Sequence, residues 1–202
     1  PNGKVGALLR WGRSGDDEFL LDTDAGAGDA LLARLRRLLL RTKAEVTLTT
    51  RDAVEPIGPL TRAHPEIIIA AGTVRSTNDA ATARRAGAQV IVSPHTDPHV
   101  VEYANENDLL SIAGAATPTE IIRAWEAGCD IVKVYPAHHL GGPDFIRTIR
   151  GPIRDVPMLA GGPVPLDMIE SYLDAGCIAV NLGGSLAVPD LVSSRQWDEI
   201  GR

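Results

Sequence analysis

The sequence predicts an α/β chain folded as a single (β/α)8 TIM barrel. Short apolar runs of the kind that form buried parallel strands recur eight times. Amphipathic helical stretches lie between them. The punctuation also repeats: Ala86-Gly87-Ala88, Ala127-Gly128-Cys129 and Ala175-Gly176-Cys177 each precede an apolar run. Each reads as a helix closed by a left-handed glycine and feeding a strand. The glycine spacings of 41 and 48 residues are near twice the unit of about 25 residues expected for eight strand-helix repeats in a chain of this length. A doubly wound open sheet is the alternative assembly of the same elements.

The expected strands are 5–10, 44–49, 66–71, 89–93, 109–113, 130–135, 156–160 and 178–182. Helical periodicity is clearest over 77–86, 97–106 and 117–127, with an earlier helix at 31–40. Thr117-Pro118-Thr119-Glu120 supplies an N-cap, a proline at the first helical position and an acid in the first turn. Residues 11–30, WGRSGDDEFLLDTDAGAGDA, interrupt the alternation and read as a long Gly/Asp-rich loop. Its Asp22, Asp24 and Asp29 lack the spacing and closing glutamate of a calcium loop. One domain is expected over 1–202.

Composition narrows the function. Of 202 residues, 44% are hydrophobic and 23% charged, enough for a real core. The net charge of −6 and aromatic content of 4% argue against a nucleic-acid partner, which needs a basic face and stacking rings. No apolar run approaches the roughly 18 residues of a membrane span, and no basic-then-apolar targeting signal is read. Cys129 and Cys177 are too few for a disulfide scaffold or a zinc site, which suits a reducing, cytoplasmic setting. The chain has three lysines, Lys4, Lys43 and Lys133.

Lys133 is the sharpest candidate. It lies in Asp130-Ile-Val-Lys-Val-Tyr-Pro136, on a strand expected to be central. Alternation puts Ile131, Lys133 and Tyr135 on one face. A free lysine is neutral about once in 2,500 at pH 7. Burial among polar groups lowers its pKa and frees the lone pair for Schiff-base formation. The competing reading is a lysine whose head group reaches solvent at the strand end. Glu45 shares a strand face with Thr47 and Thr49, and a carboxylate near an amine can relay protons. Gly161-Gly162 and Gly183-Gly184-Ser185 follow the seventh and eighth expected strands. Barrels commonly bind phosphate on backbone N–H groups there. His138-His139 lacks further residues at ligand spacing, so no metal is expected.

These residues resemble a known family. Glu45-Val-Thr-Leu, Ala71-Gly-Thr-Val74, Val92-Ser-Pro94, Ala116-Thr-Pro-Thr-Glu120, Val132-Lys-Val-Tyr-Pro-Ala137, Gly141-Gly-Pro143 and Leu182-Gly-Gly-Ser185 occur in the order found in 2-keto-3-deoxy-6-phosphogluconate (KDPG) aldolases and their 4-hydroxy-2-oxoglutarate aldolase relatives. The resemblance covers about 44–186. It implies a class I aldolase, a homotrimer of barrels without metal or cofactor, cleaving a 2-keto-3-deoxy sugar acid to pyruvate and an aldehyde such as glyceraldehyde 3-phosphate.

Lys133 falls on the family's Schiff-base lysine and Glu45 on its acid/base glutamate. Thr73 and Pro94 fall on pocket positions; Thr49 and Tyr135 complete the expected pocket. Gly161, Gly162, Gly183, Gly184 and Ser185 form the expected phosphate loops. Thr49 stands where the typical member has a carboxylate-binding Arg, Ala160 replaces the usual Thr, and Pro163 follows the first glycine pair without an N–H donor. The alternatives are an aldolase for an unphosphorylated 2-keto acid such as 4-hydroxy-2-oxoglutarate, a catalytically altered barrel serving as a binding or structural oligomer, and another phosphate-binding barrel enzyme.

Overall fold

The computed structural model describes residues 5–10, 17–22, 42–48, 54, 57–63, 65 and 68–182, with side chains for 54, 57–63, 65 and 68–182. The strands are β1 (Val5–Arg10), β2 (Asp17–Asp22), β3 (Thr42–Leu48), β4 (Ile68–Ala71), β5 (Val90–Val92), β6 (Leu110–Ala115), β7 (Ile131–Val134), β8 (Met158–Ala160) and β9 (Ala179–Leu182). The described helices are α1 (Ile57–Ala63), α2 (Thr77–Ala86), α3 (Pro98–Glu106), α4 (Pro118–Glu126), α5 (Gly142–Arg150) and α6 (Ile169–Asp174).

The six strands β4 to β9 form a curled parallel sheet in chain order. Each link between consecutive strands of this sheet carries a helix, as a parallel connection requires. Before β4, β3 and β2 extend the parallel pairing. The start of the chain departs from expectation. Residues 17–22, read from sequence as loop, form β2, so each later strand is numbered one higher than its expected place. β1 runs antiparallel to β2, β3 and β9 and is not the first of a parallel set. The reason is reach: residues 11–16 are too short a link for a parallel crossover, which takes a dozen or more residues. β2 also meets β9, at Leu21 and Leu182.

Alternation divides the core into two layers. Ile69, Ile91, Ala113, Val132, Met158 and Val180 pack outward against the helices. Ala70, Val90, Val92, Ile112, Leu159 and Ala179 pack on the concave side, joined by Ile68 and Ile131. Each fully buried Ile or Leu contributes about 1.5–3 kcal/mol.

The ends of the elements follow local chemistry. Ser76, Asp97 and Thr117 cap their helices by accepting N–H bonds from Asp79, His99 and Glu120. Glu120 closes the capping box by accepting the Ala116 and Thr117 N–H groups, both at 2.8 Å. The Ala116 N–H is the main cause that holds its carboxyl below the usual range. Gly87, Gly128 and Gly176 all take positive φ, between 88° and 105°, so the repeated punctuation does end helices as expected. At the N-terminal ends of β6 and β7, Asp130 accepts the Ser111 N–H at 2.7 Å and its hydroxyl at 3.0 Å.

Cys129 and Cys177 are buried and unbonded to each other. Burial pushes their thiols up, to about 11 and about 12. At pH 8 the folded protein should therefore resist an aromatic disulfide reagent and expose both thiols only on denaturation. Raising the pH above 9 ionises them first in the unfolded chain, so their contribution to stability falls there. Thiol titration of native and denatured protein checks this.

Candidate active site

The parallel sheet brings the predicted residues to one edge. Thr73, Pro94, Tyr135 and Gly161-Gly162 follow the C-terminal ends of β4, β5, β7 and β8. Lys133 is the penultimate residue of β7. Ile131, two residues earlier, belongs to the concave layer, so alternation puts Lys133 on that concave face. It pairs with Gly114 on one side and Leu159 on the other. Its Nζ lies 5.2 Å from the centre of the Tyr135 ring, within cation–π range. A half-buried lysine is thus held at the mouth of an apolar layer, beside an aromatic ring, with Gly114 on the strand to one side and Gly161 just past the strand on the other.

Two backbone features shape this edge. Thr73 has φ 57°, a left-handed conformation that is strained for a β-branched residue. The next residue fixes it there: the Val74 N–H donates to Val92 O at 3.1 Å. Gly114 lies against the turn after β5, where a Cβ would come within 2.6 Å of the His95 nitrogen and closer still to the Pro94 carbonyl. The Thr96 hydroxyl donates to Gly114 O at 3.0 Å, which ties that turn to β6.

The first glycine pair is not uniform. Gly161 donates its N–H to Val134 O at 2.9 Å and accepts from Ala137 N–H at 2.8 Å. Gly162 has φ 108°, and among the described residues its N–H meets no acceptor. Among the described residues, Gly162 thus has the one N–H of the pair that meets no acceptor. His138 and His139 stack edge to face with centroids 5.9 Å apart, and His138 Nδ1 is buried without a hydrogen-bond partner among the described residues. Among those residues no group of three His, Cys, Asp or Glu side chains converges as a metal site would.

Glu45 lies on β3 in register with Ile68; its side chain is outside the described residues. Thr49, Gly183, Gly184 and Ser185 also lie outside them. Two further positions have no site role in the sequence reading. Gly114 flanks Lys133, and a glycine inside a strand is a known sign of close backbone approach. Asn181 shares the concave side with Ala179, two residues earlier on β9; the alternation Ile-Ala-Val-Asn held that signal.

Comparison with known proteins gives the family. The family described as "Aldolase: KDPG and KHG aldolase" matches residues 31–202. The chain belongs to the KDPG and KHG aldolase family. It is 31% identical over 159 residues to the 2-dehydro-3-deoxy-phosphogluconate aldolase of Haemophilus influenzae, covering 79% of this chain and 75% of that one. It is 35% identical over 145 residues to the enzyme of that name from Treponema pallidum, covering 72% and 69%. A solved structure titled "Native KDPGal structure" superposes with a TM-score of 0.71 at 26% identity, covering 86% of each chain. In this chain Lys133 lies on β7, and Tyr135-Pro136 follows that strand at the edge just described.

Proposed function

We propose that the protein is a class I aldolase that cleaves a 2-keto-3-deoxy sugar acid, with a 6-phosphogluconate derivative as the first substrate to test. The observation that carries this reading is Lys133 on the concave face at the C-terminal edge of the sheet, beside Tyr135 and between Gly114 and Gly161. The neutral amine adds to the C2 ketone, and the carbinolamine loses water to give an iminium. Glu45, acting through a water, takes the C4 hydroxyl proton as the C3–C4 bond breaks. The bonding electrons pass into the iminium, forming an enamine and releasing the aldehyde. Protonation of the enamine and hydrolysis of the resulting iminium release pyruvate and restore the amine.

Thr73, Pro94, Thr49 and Tyr135 form the substrate pocket in this reading. Gly162, Gly183, Gly184 and Ser185 receive the phosphate. The whole chain is taken as one closed (β/α)8 barrel, a reading supported by the pairing of β9 with β1 and β2. The assembly is a homotrimer in the cytoplasm; unpaired buried cysteines suit that compartment. Among the described residues no helix is long and apolar enough to cross a membrane.

The deciding experiment is borohydride reduction in the presence of pyruvate, followed by peptide mass spectrometry. A reduced pyruvyl adduct on Lys133 is expected. Folded protein that gains none overturns the assignment.

One observation favours a second substrate reading. Gly161 has already committed its N–H, and Pro163 has none. A glycine pair with one N–H left without an acceptor among the described residues suits an unphosphorylated 2-keto acid such as 4-hydroxy-2-oxoglutarate. Cleavage rates on a matched pair of phosphorylated and unphosphorylated aldols separate the two.

Thr73 offers an independent check. Thr73→Gly relieves the left-handed strain and should stabilise the fold by up to about 1 kcal/mol. It should also lower kcat/KM, because the pocket loses a side chain. Thermal melting and steady-state kinetics on the same variant test both.

A further inference from the structure

We infer that Gly161 is a positioning residue for Lys133: its missing side chain keeps open the space in which the lysine stem lies. The inference rests on the Schiff-base reading above and gives Gly161 a role separate from anion binding. A Cβ built on Gly161 would stand 2.7 Å from Lys133 Cγ and 3.1 Å from Cδ, and closer still to Cε. Carbon atoms this near repel strongly, so the lysine and an alanine at 161 cannot both keep their places.

The backbone cannot yield. Gly161 is tied to Val134 through its N–H and to Ala137 through its carbonyl, which fixes it against the very strand that bears the lysine and the turn that follows. The lysine stem, a flexible chain, must move instead. Nor does conformation demand glycine here. Gly162 needs a positive φ, whereas the backbone of Gly161 is one that any L-residue adopts. The committed N–H also removes the usual reason for a glycine in such a loop, since Gly161 has no donor left for a bound anion. What remains is its contact with the Lys133 stem. Gly161 sets where the amine stands, and through it the approach to the C2 ketone.

The test uses Gly161→Ala with pyruvate, which carries no phosphate. Trapping by borohydride at saturating pyruvate should slow about 100-fold, the effect of misplacing a reacting group by around an ångström. Melting should remain cooperative. In a Lys133→Ala background the steric conflict is gone, so adding Gly161→Ala should leave the melting temperature unchanged; with Lys133 present it should lower it. Two results would overturn the inference. One is a Gly161→Ala protein that traps pyruvate at the parental rate while losing affinity for a phosphorylated aldol, which would return the glycine to anion binding. The other is an equal loss of stability from Gly161→Ala with and without the lysine. Failure of the parental protein to trap pyruvate would instead overturn the Schiff-base reading.

Discussion

Lys133→Met should remove the aldol reaction while leaving the fold in place. Methionine keeps most of the stem that runs past Gly161 and removes only the nucleophile. Loss of a covalent nucleophile commonly costs many orders of magnitude, so kcat/KM should fall on the order of 10⁴-fold or more. The pyruvate-dependent adduct should vanish with it, and the melting temperature should change little. Steady-state cleavage rates and reductive trapping on the same preparation check both parts. A variant that kept its activity on the true substrate would show that the amine does not carry the chemistry, and would favour another phosphate-binding barrel reaction.

The second large effect concerns stability. Gly114→Ala should cost about 3 kcal/mol, at the upper end of ordinary overpacking. For a chain of this size that is a fall in melting temperature of roughly 6–12 °C. The obstacle is backbone rather than side chain. The new methyl group would enter the turn at Pro94 and His95. That turn is fixed by the Ser93 N–H to Ile112 O bond, 2.9 Å, and by the Thr96 hydroxyl on Gly114 O. Gly161 makes the instructive contrast: there the neighbour is a flexible lysine, so the same substitution falls on chemistry more than on folding. Thermal melts of the two variants side by side should separate these outcomes.

Much of this arrangement was legible in the residues. The apolar runs of β4 to β9 sit between helices, and buried parallel strands have no other common reading. The Ala-Gly-Ala and Ala-Gly-Cys repeats marked three helix ends because a left-handed C-cap needs glycine. Alternation along β7 places Lys133 on the same face as Ile131 from the sequence alone. The first fifty residues were read less well. Phe19-Leu20-Leu21 was too short, and too closely flanked by aspartates and glycines, to stand out as a strand. The antiparallel sense of β1 depends on link length and pairing partners, which apolar periodicity does not encode.

The site shows the same division. Lys133 was visible because a charge in an apolar strand is costly, and Gly161-Gly162 because paired glycines mark turns. The difference between those two glycines was not visible. It depends on which N–H groups the neighbouring strand and turn already use. The tight approach at Gly114 was not legible because it comes from the turn that packs against it.

The contact between Asp130 and Ser111 has a bearing on the lysine at the other end of the strand. A strand that slides by one residue against its neighbour exchanges its two faces. Such a slip of β7 along β6 would turn Lys133 toward the helices and offer a valine to the substrate side. Valines flank the lysine on both sides, so the hydrophobic pattern of Val132 and Val134 penalises that error by burying a charge in the outer layer. The Asp130 carboxylate adds a second, directional penalty, because its two bonds to Ser111 exist in one alignment alone. The side of the sheet on which the amine emerges is therefore decided in part by a carboxylate that never meets the substrate.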